Sequence, residues 1–244
     1  MMAMPEIRER VRDRGMTLPN AYVSESLCCL SRASILRGQY PHNTRFMRNG
    51  PPDGGVQTFR ATGDEDNTVA HWLNRQGYST VLIGKYMNGY DASYKPPGWD
   101  YWYAKADAST PGEKVSENGH VVGFAGNAGN WGDRFKTMTM RYLDRKTDQA
   151  SDEPFALFFW TGQPHLLAGD YAERYANMYS HASLNPKPSF DEGDVSDKPL
   201  WVRNLGRIGD HNRDQPRQWR RNQLRSARQV DDTRGAMLDL LKKR

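Results

Sequence analysis

A chain of 244 residues has room for one large domain or two small ones, and its 26% charged and 11% aromatic residues without a low-complexity tract exclude a disordered polymer. Apolar residues make up only 37%, a thin supply of core, and the mean hydropathy is −0.87. No apolar run nears the ~20 residues of a membrane span, and Met1–Arg14 carries charges without the apolar stretch of a secretory leader.

In chain order, 6–14 reads as a short charged helix and 20–23 as a short extended stretch. Residues 31–37 read as a helix stopped by Gly38, with Pro41 beyond. Residues 48–66 are rich in Gly, Pro, Asp and Asn and read as a loop, in which Asp64, Glu65 and Asp66 are helix-capping acids. Asn67 is the expected cap of a helix through Gln76, with Val69, Ala70, Trp72 and Leu73 inward and Gly77 ending it. Residues 78–84 form a continuous apolar run, the mark of a strand covered on both faces.

Residues 86–131 read mostly as loop. Their cluster of Tyr90, Tyr94, Trp99, Tyr101, Trp102 and Tyr103 is either a packed loop or a platform for sugar rings. A helix over 133–148 precedes a second buried strand, 155–160. Residues 166–212 read as irregular and Pro-rich. From 215 to 243 a long amphipathic helix sets Leu224, Ala227, Val230, Met237, Leu238 and Leu241 near one side. The net charge of +5 is concentrated there: from Trp201 onward, twelve Lys and Arg face five Asp and Glu. Basic helices can bind anionic surfaces, but this one reads as a solvated face, and no nucleic-acid partner is expected. Alternating helices and buried strands give an α/β fold with a mainly parallel sheet. Two strands are too few for such a sheet, so the chain reads as the middle of a larger unit.

The two cysteines, Cys28 and Cys29, are neighbours. Adjacent Cα atoms sit about 3.8 Å apart, below the ~4.4 Å that a disulfide ordinarily spans, and two thiols are too few for a structural metal site. A buried structural pair or a reactive residue remains. A helix starting near 28–31 aims N–H groups at an anion, and Arg32, one turn after Cys28, approaches the same place. Lys85 follows one strand and His165 the other, at the carboxyl ends where ligands collect in open α/β sheets. His165 can move a proton near neutral pH.

The stretch from Cys28 through Arg32, Gly38 and His42 resembles the signature of the formylglycine-dependent (type I) sulfatases, Cys-x-Pro-Ser-Arg, Ala-Ser-x-Leu-Thr-Gly and Gly-x-Tyr-Pro-His. Leu30 stands where proline is usual and Arg37 where threonine is usual. Gly84-Lys-Tyr-Met-Asn-Gly-Tyr90 and Thr161-Gly-Gln-Pro-His165 are similar to further segments of that family, the first to its N-acetylglucosamine-6-sulfatase branch. Residues 51–55, 96–100, 190–199 and 225–241 resemble the same branch, so the similarity covers nearly the whole chain.

The resemblance implies that residues 1–244 are part of a sulfatase catalytic domain with an incomplete alkaline-phosphatase/sulfatase-like sheet. It implies a sulfuric ester hydrolase acting on sulfated small molecules or glycans, with N-acetylglucosamine-type sugars as candidates. Cys28 would be oxidised to formylglycine by a formylglycine-generating or other sulfatase-maturing enzyme, and its hydrate would attack the sulfur. Arg32 would hold that residue, and Lys85 and His165 would bind the sulfate. The family binds Ca²⁺ through residue 28 with an Asp-Asp and an Asp-Asn pair; this chain is expected to begin after the first pair and end before the second, so calcium binding by it alone is expected to be weak. Asp231-Asp232 is no substitute, because adjacent helical side chains point about 100° apart. Family members are often exported to the periplasm, lysosome or cell exterior. The rival expectation is a catalytically inactive remnant that binds sulfated or anionic glycans through Arg32, Arg37, Lys85 and the basic helix.

Overall fold

The computed structural model describes residues 3–124, 129–148, 153–165, 169–184 and 186–242. The chain enters through the turn Pro5–Ile7, which continues as a π-helical turn over Arg8–Arg12. Helix α1, Cys28–Arg37, starts at the first of the positions 28–31 expected for it, three residues ahead of the 31–37 span, and Gly38 ends it in the left-handed conformation (φ 62°) that favours glycine. Helix α2, Gly55–Ala61, lies inside the stretch read as loop.

Helix α3, Val69–Asn74, is shorter than expected and starts after Thr68. Asn67 does not cap it: its Oδ1 accepts the indole N–H of Trp72 at 2.7 Å. That bond holds Trp72 at the surface, 41% exposed, where the sequence puts it inside.

A five-stranded sheet follows, in the spatial order β4-β3-β2-β1-β5. Strands β1 (Ser79–Lys85), β2 (Tyr101–Lys105) and β5 (Phe155–Trp160) are parallel, with β1 between the other two. The short strands β3 (Lys114–Glu117) and β4 (His120–Gly123) extend β2 as an antiparallel hairpin. The hairpin turns on Asn118-Gly119, both with positive φ (52° and 92°), the dipeptide that a two-residue turn favours. Helix α4, Trp131–Asp148, leads to β5, and helix α5 runs over Asp210–Lys242. Between them, among the described residues, only the short turns Glu173–Tyr175 and Leu200–Arg203 are helical. Lys243, expected to be the last helical residue, and residues 166–168 and 185 of the irregular stretch lie outside the described residues.

Alternation along the strands sorts two cores. Leu82 of β1 and Phe158 and Trp160 of β5 point to one face, where they meet Leu30, Ala33 and Leu36 of α1, Phe59 of α2, and Tyr86, Tyr90, Trp99 and Trp102. Val81 and Ile83 of β1 and Phe155, Leu157 and Phe159 of β5 point to the other, against Trp131, Phe135, Tyr142 and Leu143 of α4 and Met237 and Leu240 of α5. Strands β1 and β5 approach so closely at Gly84 that a Cβ there would lie 2.0 Å from the Trp160 carbonyl oxygen. β5 is only partly buried at all six positions, against the expectation of full cover, because no strand among the described residues pairs its outer edge.

The aromatic cluster is core, not a sugar platform. Tyr90 and Trp102 are fully buried, Trp99 and Tyr103 nearly so, and Trp102 Nε1 donates to Tyr90 Oη at 2.8 Å. Glu65 caps nothing either: it is buried and accepts hydrogen bonds from Tyr86 Oη at 2.9 Å and Tyr94 Oη at 2.7 Å. The inward side of α5 is more polar than its spacing predicts. Leu224 and Val230 are buried there, as are Ser226, Gln229, Asp231 and Thr233, whereas Leu241 is 39% exposed.

Candidate active site

The first turn of α1 separates two thiols that the sequence leaves equivalent. Neither is in a disulfide; Cys29 is buried and Cys28 only partly so. Cys29 is pinned: its N–H donates to Asn49 Oδ1 at 2.9 Å, and its Sγ accepts the Asn88 N–H at 3.3 Å. Burial pushes its thiol above the usual pKa, which keeps it protonated and unreactive. Of the amides that a bare helix start would offer an anion, Cys29's is therefore already used. Leu30, at the usual proline position, is 3% exposed and packs in the core beneath. Cys28 is left facing a cleft of about 490 Å³, lined also by Glu25, Ser31, Arg32, Trp160, Thr161 and Arg234.

Arg32 joins that cleft to the sheet. Its Nη1 donates to the main-chain oxygen of Lys85 at 2.8 Å, and its guanidinium lies 4.7 Å from the centre of the Trp160 ring. Burial pulls its pKa down while the neighbouring Cys28 and Cys29 push it up; a guanidinium stays protonated regardless. It is a fixed, half-desolvated cation beside the half-buried Cys28.

Lys85 itself, closing β1, lines a second cavity of about 280 Å³ with Lys105, Asp107, Trp131, His165 and Asp170. Lys85 and Lys105 are partners in the parallel register, so two ammonium side chains leave the sheet side by side. Burial lowers the Lys105 pKa, countered by Glu113, Asp170 and Asp107. The four residues singled out from sequence thus fall into two neighbouring hollows, Cys28 with Arg32 and Lys85 with His165, bridged by the bond from Arg32 to Lys85. Lys105 and Arg234 were missed. The signal for Lys105 was its place at the end of an aromatic strand; nothing in the spacing of α5 distinguishes Arg234 from its other basic residues.

Two other expectations are settled by partners. Arg37 is paired with Asp64 at 2.9 Å and donates to Asn67 O, so it is tied down and cannot serve as an open anion contact. The carboxylates of α5 have structural work: Asp231 accepts the N–H groups of Glu6 and Ile7 at 2.8 and 2.9 Å, and Asp232 accepts from Tyr175 and Arg228. Calcium wants about six to eight oxygen ligands. Among the described residues no group of three or more His, Cys, Asp or Glu is placed to hold a metal ion, so the residues present do not fit calcium. No described helix is long and apolar enough to cross a membrane.

An open α/β sheet thus carries, at one end, a thiol at a helix start, a half-buried arginine and a strand-end lysine. A family model described as Sulfatase matches residues 1–244, and the chain belongs to the sulfatase family. It is 30% identical over 260 residues to an arylsulfatase of Volvox carteri, covering 93% of this chain and 39% of that protein. It is 30% identical over 205 residues to human N-acetylglucosamine-6-sulfatase, covering 76% of this chain and 35% of that protein. The chain therefore spans little more than a third of these relatives. Among solved structures, one determined with its substrate D-glucosamine-2-N,6-O-disulfate superposes with a TM-score of 0.63 at 18% identity, over 92% of this chain and 54% of that one. That likeness carries the fold, an alkaline-phosphatase/sulfatase-like open sheet flanked by helices.

Proposed function

We propose that this chain is the nucleophile-bearing and sulfate-binding part of a sulfatase catalytic domain that hydrolyses sulfate esters. Cys28 is the residue converted to formylglycine by a sulfatase-maturing enzyme. Arg32 fixes the charge beside it, Lys85 binds sulfate oxygens, and His165 supplies a proton to the departing alcohol. The observation that supports this reading is the bond from Arg32 to the Lys85 main-chain oxygen, which ties the half-buried Cys28 to the strand end where an anion would sit. Sulfated sugars are the proposed substrates, supported by the N-acetylglucosamine-6-sulfatase relatives. Calcium belongs to the family's chemistry, but no step is assigned to it here because the donors present do not fit it.

Peptide mass spectrometry of position 28, after expression with a formylglycine-generating enzyme and trapping with a hydrazide, tests the first role. The aldehyde should form at Cys28 and never at Cys29, whose sulfur is held by Asn88. Unmodified cysteine at position 28 throughout would remove the nucleophile and, with it, the hydrolase reading. Binding of sulfated glycans by an unconverted protein would then be the reading left.

A further inference from the structure

The cavity at the ends of β1 and β2 contains more chemistry than sulfate binding uses. A hollow built for a bare anion needs cations alone; this one sets Asp107 and Asp170 beside Lys85 and Lys105. An ammonium only donates and a carboxylate only accepts, whereas a carbohydrate hydroxyl does both, so neighbouring hydroxyls satisfy such a pair together. At about 280 Å³ the cavity lies just under the ~300–1,000 Å³ of pockets for drug-sized ligands. It suits a single sugar ring.

Both members of the pair are positioned for this. Lys105 Nζ rests 4.3 Å from the centre of the Trp131 ring, a contact that leaves its hydrogen-bonding capacity largely unspent. Asp170 is fixed from two sides: Oδ1 accepts from Asn130 Nδ2 at 2.7 Å, and its main-chain oxygen accepts from Ser226 Oγ at 3.0 Å. A carboxylate has about four lone-pair sites, so it can still accept from a ligand. Burial lowers the Lys105 pKa and raises that of Asp170, so both are poorly solvated and gain from a polar partner.

We infer that Lys105 and Asp170 form a donor–acceptor pair that reads hydroxyl groups on the sugar ring whose sulfate faces Lys85, and so determine specificity. This rests on the sulfate-binding reading of Lys85 above. Ligand-observed NMR titrations with inorganic sulfate and with glucose 6-sulfate separate the two ideas. Wild-type protein should bind the sugar sulfate more tightly than the bare ion. Lys105→Met, which keeps an apolar contact with Trp131, and Asp170→Asn should each weaken glucose 6-sulfate about ten-fold relative to inorganic sulfate. Equal wild-type affinities, unchanged variants, or equal losses for both ligands would overturn the pair. Lys85→Met should weaken both ligands; inorganic sulfate binding untouched by that change would overturn the underlying site instead. Thermal melts confirm that each variant is folded, and Lys105→Met decides the matter if Asp170→Asn is not.

Discussion

The two faces of the sheet hold the candidate site by opposite means. On the face of α1, the nucleophile-bearing helix rests on an apolar, aromatic core: Leu30, Ala33 and Leu36 against Phe59, Tyr86 and Trp102. On the face of α4 and α5, the loop that follows β5 is held by buried amides. Gln229 is 1% exposed; its Oε1 accepts from Gln163 Nε2 and the Ala172 N–H, both at 3.0 Å, and its Nε2 donates to Asn130 and Asp133. Non-directional packing fixes where a helix lies, whereas hydrogen bonds fix how a loop is oriented. Cys28 and Arg32 depend on the first, His165 and Asp170 on the second.

The contrast breaks most visibly in stability. Trp102→Ala removes a fully buried ring from the apolar face and should cost about 3–5 kcal/mol in chemical denaturation. A loss below ~1 kcal/mol would mean that this face is not the main core. Gln229→Leu leaves Gln163, Asn130 and Asp133 without their shared partner and should cost about 1–3 kcal/mol. Its amide exchange should rise around 161–165 and 169–172 while α1 stays protected; uniform loosening of both faces would contradict the division.

pH sharpens the same comparison with the smallest effects. On the apolar face burial raises the Glu65 pKa, partly opposed by Tyr94, Tyr86 and Arg60. The folded state then binds the proton more tightly than the unfolded one, so this contribution is fully present below the unfolded pKa and is lost as pH rises through the folded value. On the polar face the hydrogen bond from Arg174 is the main cause that lowers the Asp133 pKa. That contribution is present above the unfolded value and is lost as pH falls through the folded one. Relative to wild type, Glu65→Gln should gain as pH rises above the ordinary carboxylate range, and Asp133→Asn should gain as pH falls below it. Parallel pH profiles for the two variants would sink the assignment.

Much of this was legible. The residues alone mark the full extent of β5, β1 to within a residue, and Gly38 as the C-terminal stop of α1. One motif and two strand ends single out Cys28, Arg32, Lys85 and His165 as the proposed site residues, and the structure places them in two hollows. What escaped the reading had local causes. β2 has the aromatic composition of a strand, but it sits in a stretch crowded with Gly, Pro and Asp, and Asn118-Gly119 is the local mark of its hairpin extension. Periodicity places Trp72 inside, and Asn67 draws it out through a side-chain bond that period cannot foresee. Glu65 read as a cap because its two tyrosine partners lie 21 and 29 residues away in the chain. The role of Gln229 depends on long-range partners in the same way.

In the proposed function the two hollows act as one anion site, joined by Arg32. Titrating uniformly ¹⁵N-labelled protein with sulfate and following the backbone amides tests it directly. The amides of residues 28–32, Lys85 and His165 should shift together with a single Kd, and Arg32→Met should abolish the response in both hollows. Shifts confined to one hollow, or spread along the basic residues of α5, would contradict it.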